Sequence, residues 1–498
     1  MKRLKEIFKD KKLYIFLAIS LLFFGLLVRI NFSVDTYLLF ASKDLGYVSE
    51  YVRSGRLITV AFFKLMQLLR FGINMMYFTS YLLAIICTTL SMYFISDLFN
   101  KYIRSTALNI IISVLIIINP FIIELWLFVE SGIMMLSILA CVLAVRQINE
   151  YFEFKHKKNI IYCMLYMLLA LFCYQGTVGI FVLLGTIFVI VNTKKIKDFI
   201  LNNVYLFVCY LVPTLINFIV VKVIGNSRVN SSYNLMQTLD FIIRATKEQL
   251  MNAFGLLPDG VFRFAIYGSL SLIIILIIVN NYTRDQKSEN IDNHVWRDLG
   301  YLFYILVVGY VFTVITVLPQ NIESAVMFAR TSYAFGSIIG IMYAYTIIHI
   351  YRLGNHPKIY KTFIVLSIIV LVIELVSIWK IEINRYKVNE LDREIILKIN
   401  EEIDKYEMQS GNKITKLAVY NLERANKFYE GLDDHINVSA KSEMPSCLAL
   451  LVFYTRKQIK QVDEDKIVYE EHFKNKQWNG FNLNQIYIEK ETLHWYIY

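Results

Sequence analysis

Charged residues and cysteines are both scarce in this chain, and each scarcity excludes a class of protein. Only 18% of the 498 residues are charged, whereas soluble domains carry about 25%. Five of the six cysteines fall inside apolar runs, and only Cys447 lies beyond residue 380. A disulfide needs two cysteines, so an exported segment after residue 380 cannot be cross-linked internally.

Motifs for nucleotide and zinc binding are also missing from the sequence. It holds no Walker A pattern and no glycine-rich loop between a strand and a helix, and such loops cradle nucleotide phosphates. The seven histidines form no set with zinc-ligand spacing. The loops predicted below to be cytoplasmic are too short for a nucleotide-binding domain. An ATP-driven pump, or a synthase that uses nucleotide sugars inside the cell, is therefore disfavoured.

Long runs of apolar residues are the dominant feature of the sequence. Hydrophobic residues make up 57% of the chain, and they form stretches such as Leu13 to Ile30 and Ile266 to Val279. A membrane-spanning helix needs about 20 consecutive apolar residues. No small-residue cleavage site follows Ile30, so we interpret the first run as a retained helix and not a signal peptide. The pattern predicts about eleven spans, at 13–31, 76–98, 105–123, 127–148, 160–175, 177–193, 199–224, 262–282, 299–318, 332–352 and 362–380.

The charges between the spans predict how the chain threads the membrane. Six basic residues lie between Met1 and Lys12, and every second loop is basic. These loops contain Lys101 and Arg104; Lys155, Lys157 and Lys158; Lys194, Lys195 and Lys197; Arg284, Lys287 and Arg297; and Arg352, Lys358 and Lys361. Basic loops face the cytoplasm. We therefore expect a multi-pass plasma-membrane protein with a cytoplasmic N-terminus and an extracytoplasmic C-terminal domain.

The net charge of +11 has the same origin and indicates no nucleic-acid partner. Residues 381–498 hold 17 Lys and Arg against 20 Asp and Glu. The excess of positive charge therefore lies in the membrane part, mostly at the ends of spans. The positive-inside rule accounts for this distribution.

These patterns predict two domains, a transmembrane domain over 1–380 and a C-terminal extracytoplasmic domain over 381–498. Residues 57–71 are apolar but carry Lys64, which would cost about 2.5–3.5 kcal/mol at the centre of a span. We interpret them, and Leu235 to Phe254, as interfacial helices on the outer face. In the tail, 416–420 is predicted as a buried strand, 445–456 as an apolar helix or strand, and 485–498 as a hairpin. The expected fold is an all-α polytopic membrane protein with a small α/β C-terminal domain.

Asp35 is the first candidate for chemistry because it lies just past the first predicted span. A carboxylate at the mouth of a helix bundle is partly desolvated and can act as a general base. The alternative is that Asp35 caps the next helix, since Asp is favoured at that position. Asp44 and Glu50 follow in the same predicted outer loop, and either carboxylate could replace Asp35 in this role.

Two arginines at predicted outer positions are candidates for binding phosphate. Arg56 opens the helix predicted after Ser54-Gly55, and Arg330 stands at the outer end of the tenth span. The forked donors of arginine match phosphate oxygens, and a helix start adds backbone N–H groups. For Arg56 the alternative is snorkelling to lipid headgroups. An arginine at an outer end runs against the positive-inside trend, which favours a role for Arg330 in holding a lipid phosphate.

A third group of candidates could contact a sugar or an acceptor. Glu124, Trp126 and Glu130 follow Asn119-Pro120 where two predicted spans meet outside, and an aromatic face can stack on a pyranose. The alternative is a belt of aromatic residues at the membrane interface. Tyr333, close to Arg330, belongs to the same group, and Tyr174-Gln175-Gly176-Thr177 predicts a tight outer turn.

A series of short patterns relates these residues to a known family. They are Val34-Asp35-Thr36-Tyr37, Ser54-Gly55-Arg56-Leu57, Asn119-Pro120, Ala329-Arg330-Thr331-Ser332-Tyr333-Ala334-Phe335-Gly336 and Asn384-Arg385-Tyr386. With them, over roughly residues 1–400, the chain resembles the GT-C class of membrane glycosyltransferases. More narrowly, it is similar to the bacterial Gtr type II glucosyltransferases, which modify surface polysaccharides. Related sequences often carry a pair of aspartates where this chain has Asp35 alone.

The resemblance implies a GT-C-like fold and an inverting sugar transferase. The expected partners are a polyprenyl-phosphate-linked sugar, glucose by analogy, and a cell-surface polysaccharide or glycolipid acceptor. Asp35 would be the base, and Arg56 and Arg330 would bind the donor phosphate. No cofactor is certain, no metal ligand is assigned, and a divalent metal requirement stays open.

Three other functions compete with this interpretation. A polymerase of lipid-linked polysaccharide also works outside on lipid-linked sugars. A flippase-type transporter would favour charged residues deep within spans and access from both faces, whereas Arg29, Glu124 and Glu374 lie near predicted helix ends. A non-enzymatic receptor would leave the pattern around Asp35 without a role.

Overall fold

Helices dominate the part of the chain that the computed structural model describes. The described residues are 7–29, 32–41, 48–224, 235–253, 255–257, 259–284, 291–314, 328–353, 357–432, 437–442, 444–476 and 478–498. In chain order their helices are α1 (Lys11–Phe24), α2 (Val34–Ala41), α3 (Val48–Arg53), α4 (Leu57–Leu68), α5 (Ile73–Phe99), α6 (Thr106–Ile117), α7 (Ile122–Trp126), α8 (Ser131–Phe154), α9 (Lys158–Cys173), α10 (Gly179–Val191), α11 (Ile196–Ile224), α12 (Leu235–Asn252), α13 (Val261–Arg284), α14 (Ile291–Val314), α15 (Tyr333–Gly336), α16 (Ile338–Leu353), α17 (Pro357–Ser410), α18 (Met444–Thr455) and α19 (Lys466–Val468). A helix satisfies its own backbone hydrogen bonds, which is what an apolar segment needs inside a bilayer.

Each predicted span coincides with a helix, but the helices differ in length. Seven helices in the described part of the chain are long and apolar enough to cross a membrane. The helices at four predicted spans, α6, α9, α10 and α16, are shorter apolar segments. A helix of 16 residues measures about 24 Å, less than the roughly 30 Å of a hydrocarbon core. The chain thus has the helices of a polytopic membrane protein, while the count of eleven spans and their orientation stay predictions.

The two segments predicted as interfacial helices are both helical. In α4, one face buries Thr59, Phe63 and Met66, whereas Lys64 is exposed. In α12, Ile242 and Ala245 are buried, and the helix ends at Asn252. Their placement at the membrane interface remains a prediction.

The helical chain up to Trp379 forms most of one compact unit, made of Met1–Val28, Glu50–Trp126 and Glu130–Trp379. Its centre is α10, which is buried along nearly its whole length. Helices α6 and α16 approach closely at Gly340, where an added Cβ would lie 2.8 Å from both the Leu115 carbonyl carbon and the Ile116 nitrogen. Small residues allow such backbone contacts between membrane helices.

Replacing Gly340 by alanine should therefore destabilise the first unit. The new methyl group would meet the backbone of α6, which cannot rotate away, so we expect Gly340→Ala to lower the free energy of unfolding by about 1–3 kcal/mol. Thermal unfolding of the full chain in detergent measures the change. Gly268→Ala is the matched control, because a Cβ at Gly268 meets nothing within 4 Å. Equal melting temperatures for the two variants would show that the close contact is absent.

The second compact unit consists of Arg29–Ser49, Leu127–Val129 and Lys380–Tyr498. Its sheet has four strands, β1 (Lys416–Tyr420), β2 (Lys460–Gln461), β3 (Ile486–Glu489) and β4 (Thr492–Tyr496). Their order is β2-β1-β4-β3, with β1 parallel to both neighbours and β3 and β4 forming an antiparallel hairpin. The strand expected at 416–420 and the terminal hairpin are thus both present, and the ambiguous segment at 445–456 is a helix, α18.

Most of this second unit follows Lys380, but the unit is not one continuous stretch of chain. Helix α17 runs without a break for 54 residues, so the tail starts as its extension. The unit also takes in α2, which packs against α18. Phe32 and Tyr37 meet the Phe453 ring edge-on, each with centroids 5.5 Å apart. The tail and the segment after the first predicted span therefore share one core.

Candidate functional site

Glu124 and Arg330, proposed separately from the sequence, form one buried ion pair in the first unit. The Arg330 guanidinium donates through Nη1 to Glu124 Oε1 at 2.5 Å, and the Arg330 backbone N–H donates to Oε2 at 2.7 Å. The Glu124 side chain is 7% exposed and that of Arg330 21%. The guanidinium carbon also lies 4.2 Å from the Phe328 ring centroid. Both oxygens of Glu124 thus fix the position and direction of Arg330.

Arg56 is held by aromatic rings and not by a carboxylate. It stands immediately before α4, with its guanidinium carbon 4.6 Å from the Tyr174 ring centroid and 5.7 Å from that of Tyr51. Its Nε is buried without a hydrogen-bond partner, and no ion pair of Arg56 occurs within the described residues. The loop before it is tied down, because Gln175 Nε2 donates to the Ser54 carbonyl at 2.7 Å. A partly buried cation that has a buried donor without a partner is suited to an anionic ligand.

The predicted tight turn brings these two arginines into one neighbourhood. The 3₁₀ turn Gln175–Thr177 packs against the 3₁₀ turn Ala329–Thr331, which carries Arg330. The charges of both arginines act on the Tyr174 hydroxyl, as do those of Glu124 and Glu130. The fourth of these groups, Glu130, accepts a hydrogen bond from the Tyr51 hydroxyl at 2.8 Å. This set, defined as the arginine–glutamate cluster, contains four of the residues proposed from sequence.

Trp126 and Tyr333 are packed into the interior of the same unit. Trp126 is 1% exposed and stacks on Phe24 with ring centroids 4.1 Å apart. Tyr333 is fully buried, and its hydroxyl donates to the Ile117 carbonyl at 2.8 Å. Neither ring presents a face to a ligand in this structure, so the geometry gives both a packing role. Their assignment to a sugar site stays a prediction.

Asp35 belongs to the second unit, in the first turn of α2, and is partly buried. The helix is capped by another residue, because Ser33 Oγ accepts from the Thr36 N–H at 3.3 Å. The alternative reading of Asp35 as the helix cap is therefore wrong, and its carboxylate is not committed to that task. Asp44, the neighbouring candidate, lies outside the described residues.

Two side chains of α17 clamp the backbone just ahead of Asp35. Arg385 Nε donates to the Phe32 carbonyl at 2.9 Å, and Asn389 Nδ2 donates to the same oxygen at 3.0 Å. Asn389 Oδ1 in turn accepts from the Phe32 N–H at 2.7 Å. Arg385 is buried, and the charge of Asp35 acts on its guanidinium. The segment that carries Asp35 is thus fixed from the tail side.

Asp392 is a buried charged residue that sequence reasoning missed. It accepts from the Tyr429 hydroxyl at 2.7 Å, from the Ala440 N–H at 3.1 Å and from the Ser439 hydroxyl. The available signal was its spacing: Arg385, Asn389 and Asp392 follow each other at four and three residues, which places them on one helix face. These three residues make one face of the helix polar. The same face would be apolar if the helix only supported the tail.

Lys441 is buried near Asp392 and lies against two tyrosine rings. Its Nζ is 3.2 Å from the Tyr498 ring centroid and 4.7 Å from that of Tyr429, and it makes no hydrogen bond within the described residues. Burial lowers the pKa of the amine from 10.5 to about 7, against the opposing influence of the Asp392 carboxylate. Burying the charged form disfavours it.

This amine should make the second unit more stable in mildly alkaline solution. Its pKa is lower in the folded chain, so between about pH 7 and pH 10 the unfolded state binds more protons and stability rises with pH. We expect a gain of up to about 1.4 kcal/mol per pH unit from this group. Thermal unfolding of the full chain between pH 7 and pH 9 tests it.

The variant Lys441→Met should be more stable than wild type near pH 7 and should lose this pH dependence. Lys466→Met, at an exposed lysine of the same unit, is the control and should keep it. An unchanged pH profile in Lys441→Met would mean that the buried amine is not the source.

Comparisons with known proteins add no family to this description. No family model, no curated protein and no solved structure matches the chain. The class of this protein therefore follows from its structure alone. It is a largely helical protein with seven described helices that are long and apolar enough to span a membrane, and with a small sheet near the C-terminus. In the described residues, no group of three or more His, Cys, Asp and Glu side chains could hold a metal ion.

Proposed function

We propose that this protein is a membrane glycosyltransferase. It moves a sugar, glucose by the resemblance, from a polyprenyl-phosphate donor to a cell-surface polysaccharide or glycolipid on the outer face, with inversion at the anomeric carbon. The observation that carries the proposal is the arginine–glutamate cluster, in which Arg56 has a buried donor without a described partner and Arg330 is fixed by Glu124. Such a cluster suits a ligand that gains negative charge as it reacts.

In the proposed reaction, Arg56 and Arg330 bind the phosphate of the donor. When the bond between sugar and phosphate breaks, the leaving polyprenyl phosphate takes the electron pair and gains a negative charge. Arg56 can meet that charge without first giving up an ion pair among the described residues. Glu124 holds Arg330 in one direction, so little reorganisation is needed when the charge develops. The rings of Tyr174 and Tyr51 beside Arg56 lower the local dielectric constant, which strengthens the attraction of Arg56 for phosphate.

In the proposed reaction, Asp35 is the general base. In the proposed step, its carboxylate takes the proton of the acceptor hydroxyl, the acceptor oxygen bonds to the anomeric carbon, and polyprenyl phosphate departs. Capping by Ser33 leaves the Asp35 carboxylate uncommitted to the helix backbone. The Arg385 and Asn389 clamp restricts the backbone that carries it, and a base must be held in place to act efficiently.

Analysis of surface glycans in a deletion strain tests the proposal. A transferase predicts the loss of one side sugar with chain length unchanged, restored by the wild-type gene. Purified chain in proteoliposomes should also move labelled sugar from its polyprenyl phosphate to isolated acceptor glycan. Shortened chains that retain the side sugar would identify a polymerase instead. An unchanged glycan would refute both functions.

A further inference from the structure

A cavity with charged residues in its lining lies apart from the arginine–glutamate cluster in the first unit. Its volume is about 600 Å³, and it lies between the end of α10, the start of α11 and the first half of α14, with α16 behind it. Helices α10 and α16 both begin beside the cluster and run to the cavity. A helix of 13 residues, the length of α10, spans about 20 Å. The two sites are therefore separate.

The cavity is lined by three cations and one carboxylate. Lys194 and Lys195 are exposed, and neither makes an ion pair within the described residues. Arg297 pairs with the adjacent Asp298 at 3.4 Å, and the Asp298 side chain is buried. Asp198 lies nearby but is engaged at the start of α11, where it accepts from the Lys195 N–H at 3.1 Å. The balance of charge in the cavity is positive, which favours an anion.

The donors of the cavity suit phosphate oxygens. Lysine and arginine both bind phosphate, the first as a point charge and the second as a fork. Three tyrosines, Tyr301, Tyr304 and Tyr345, complete the polar lining. The hydroxyl of Tyr345 donates to the Asp298 carbonyl at 3.2 Å, which ties α16 to the part of α14 that carries Arg297. Arg297 thus lies on a helix that is joined to its neighbour α16.

Apolar side chains at the rim indicate a lipid as the source of the phosphate. Ile196, which lines the cavity, is 80% exposed, and Trp296, the neighbour of the lining residue Arg297 on α14, is 72% exposed. A soluble phosphate compound would leave these apolar side chains exposed to water, whereas the acyl chains of a lipid would bury them. These residues also adjoin Lys194, Lys195 and Arg297, which belong to the loops predicted to be cytoplasmic, where anionic lipids attract basic pockets.

We propose that this cavity binds the phosphate headgroup of an anionic lipid in the inner leaflet. The headgroup phosphate lies between the Lys194 and Lys195 ammonium groups and the Arg297 guanidinium, and the acyl chains run along the apolar rim. The site is independent of the sugar-transfer chemistry proposed above, so a failure of one leaves the other standing.

Native mass spectrometry of the full chain with phosphatidylglycerol tests the site. Each lysine near an anionic lipid contributes about 1 kcal/mol, so Lys194→Gln with Lys195→Gln should weaken phosphatidylglycerol binding by about 10- to 30-fold. Arg297→Gln should weaken it as well. The matched control is Lys157→Gln with Lys158→Gln, two exposed lysines of another predicted cytoplasmic loop that do not line the cavity, and it should bind as wild type does.

Two arms of the experiment distinguish the source of the phosphate. Phosphatidylcholine and water-soluble glycerophosphoglycerol should each bind at least tenfold more weakly than phosphatidylglycerol. Equal binding of glycerophosphoglycerol would overturn the lipid assignment in favour of a soluble phosphate ligand. Equal losses in the two double variants would overturn the site itself, because general surface charge would then explain the binding. Melting temperatures of all variants check that the chains remain folded.

Discussion

Asp35→Asn is expected to reduce the rate of sugar transfer by about 10²–10⁴-fold, the usual contribution of a general base. The amide has nearly the same size as the carboxylate but cannot take up the proton of the acceptor hydroxyl. Protein level and melting temperature should stay close to wild type, because Ser33 and not Asp35 caps α2. The measurement is the initial rate of transfer from a polyprenyl-phosphate sugar in proteoliposomes.

Two neighbouring carboxylates serve as controls for Asp35. Glu50 is partly exposed and pairs with Arg53 at 3.0 Å, so Glu50→Gln should transfer sugar at the wild-type rate. Asp44→Asn tests the other carboxylate of the predicted outer loop. A wild-type rate in Asp35→Asn together with a large loss in Asp44→Asn would move the role of base to Asp44.

Arg56→Gln is expected to lower the transfer rate by about 10²–10³-fold, the loss seen when one donor to a developing negative charge is removed. Arg56→Lys should recover only part of this, because lysine offers a point charge in place of a planar fork. The change breaks no ion pair within the described residues, so its effect should fall on transfer and not on stability. Initial rates and melting temperatures measured on the same preparations separate the two.

Arg53→Gln is the matched control for Arg56. Arg53 lies three residues earlier, is largely exposed and pairs only at the surface with Glu50, so its loss should leave the transfer rate unchanged. Arg330→Gln, in contrast to Arg56→Gln, should lower the stability of the chain. It leaves Glu124 buried without its cation, which costs about 3–5 kcal/mol of stability. Equal rates in Arg56→Gln and Arg53→Gln would remove Arg56 from the phosphate site.

The position of the helices could be predicted because the signal for them is local. A run of apolar residues identifies a membrane helix without reference to any other part of the chain, and each predicted span coincides with a helix. The strand at 416–420 and the terminal hairpin likewise follow from local alternation and length. Span length was harder to predict: residues 105–123 were predicted as one span, but helix α6 ends at Ile117 and the short helix α7 begins at Ile122.

The pairings of the site could not be predicted, because their partners are far apart in sequence. Glu124 and Arg330 were both singled out, yet nothing local indicates that one neutralises the other across 206 positions. Asp35 likewise gained a context from Arg385, Asn389 and Phe453, all of them more than 300 residues away. Trp126 looked suited to a sugar from its neighbours, but Phe24 covers its face.

By itself, the sequence determined that this is a helical membrane chain and which residues could carry charge chemistry, because hydrophobicity and residue type are properties of single positions. Only the tertiary structure decided which of these charged side chains lie against each other and which lie against uncharged rings. Glu124 holds Arg330 in one direction, whereas Arg56 lies against two tyrosine rings. The physical reason is that an ion pair depends on the distance between two side chains, and packing alone sets that distance.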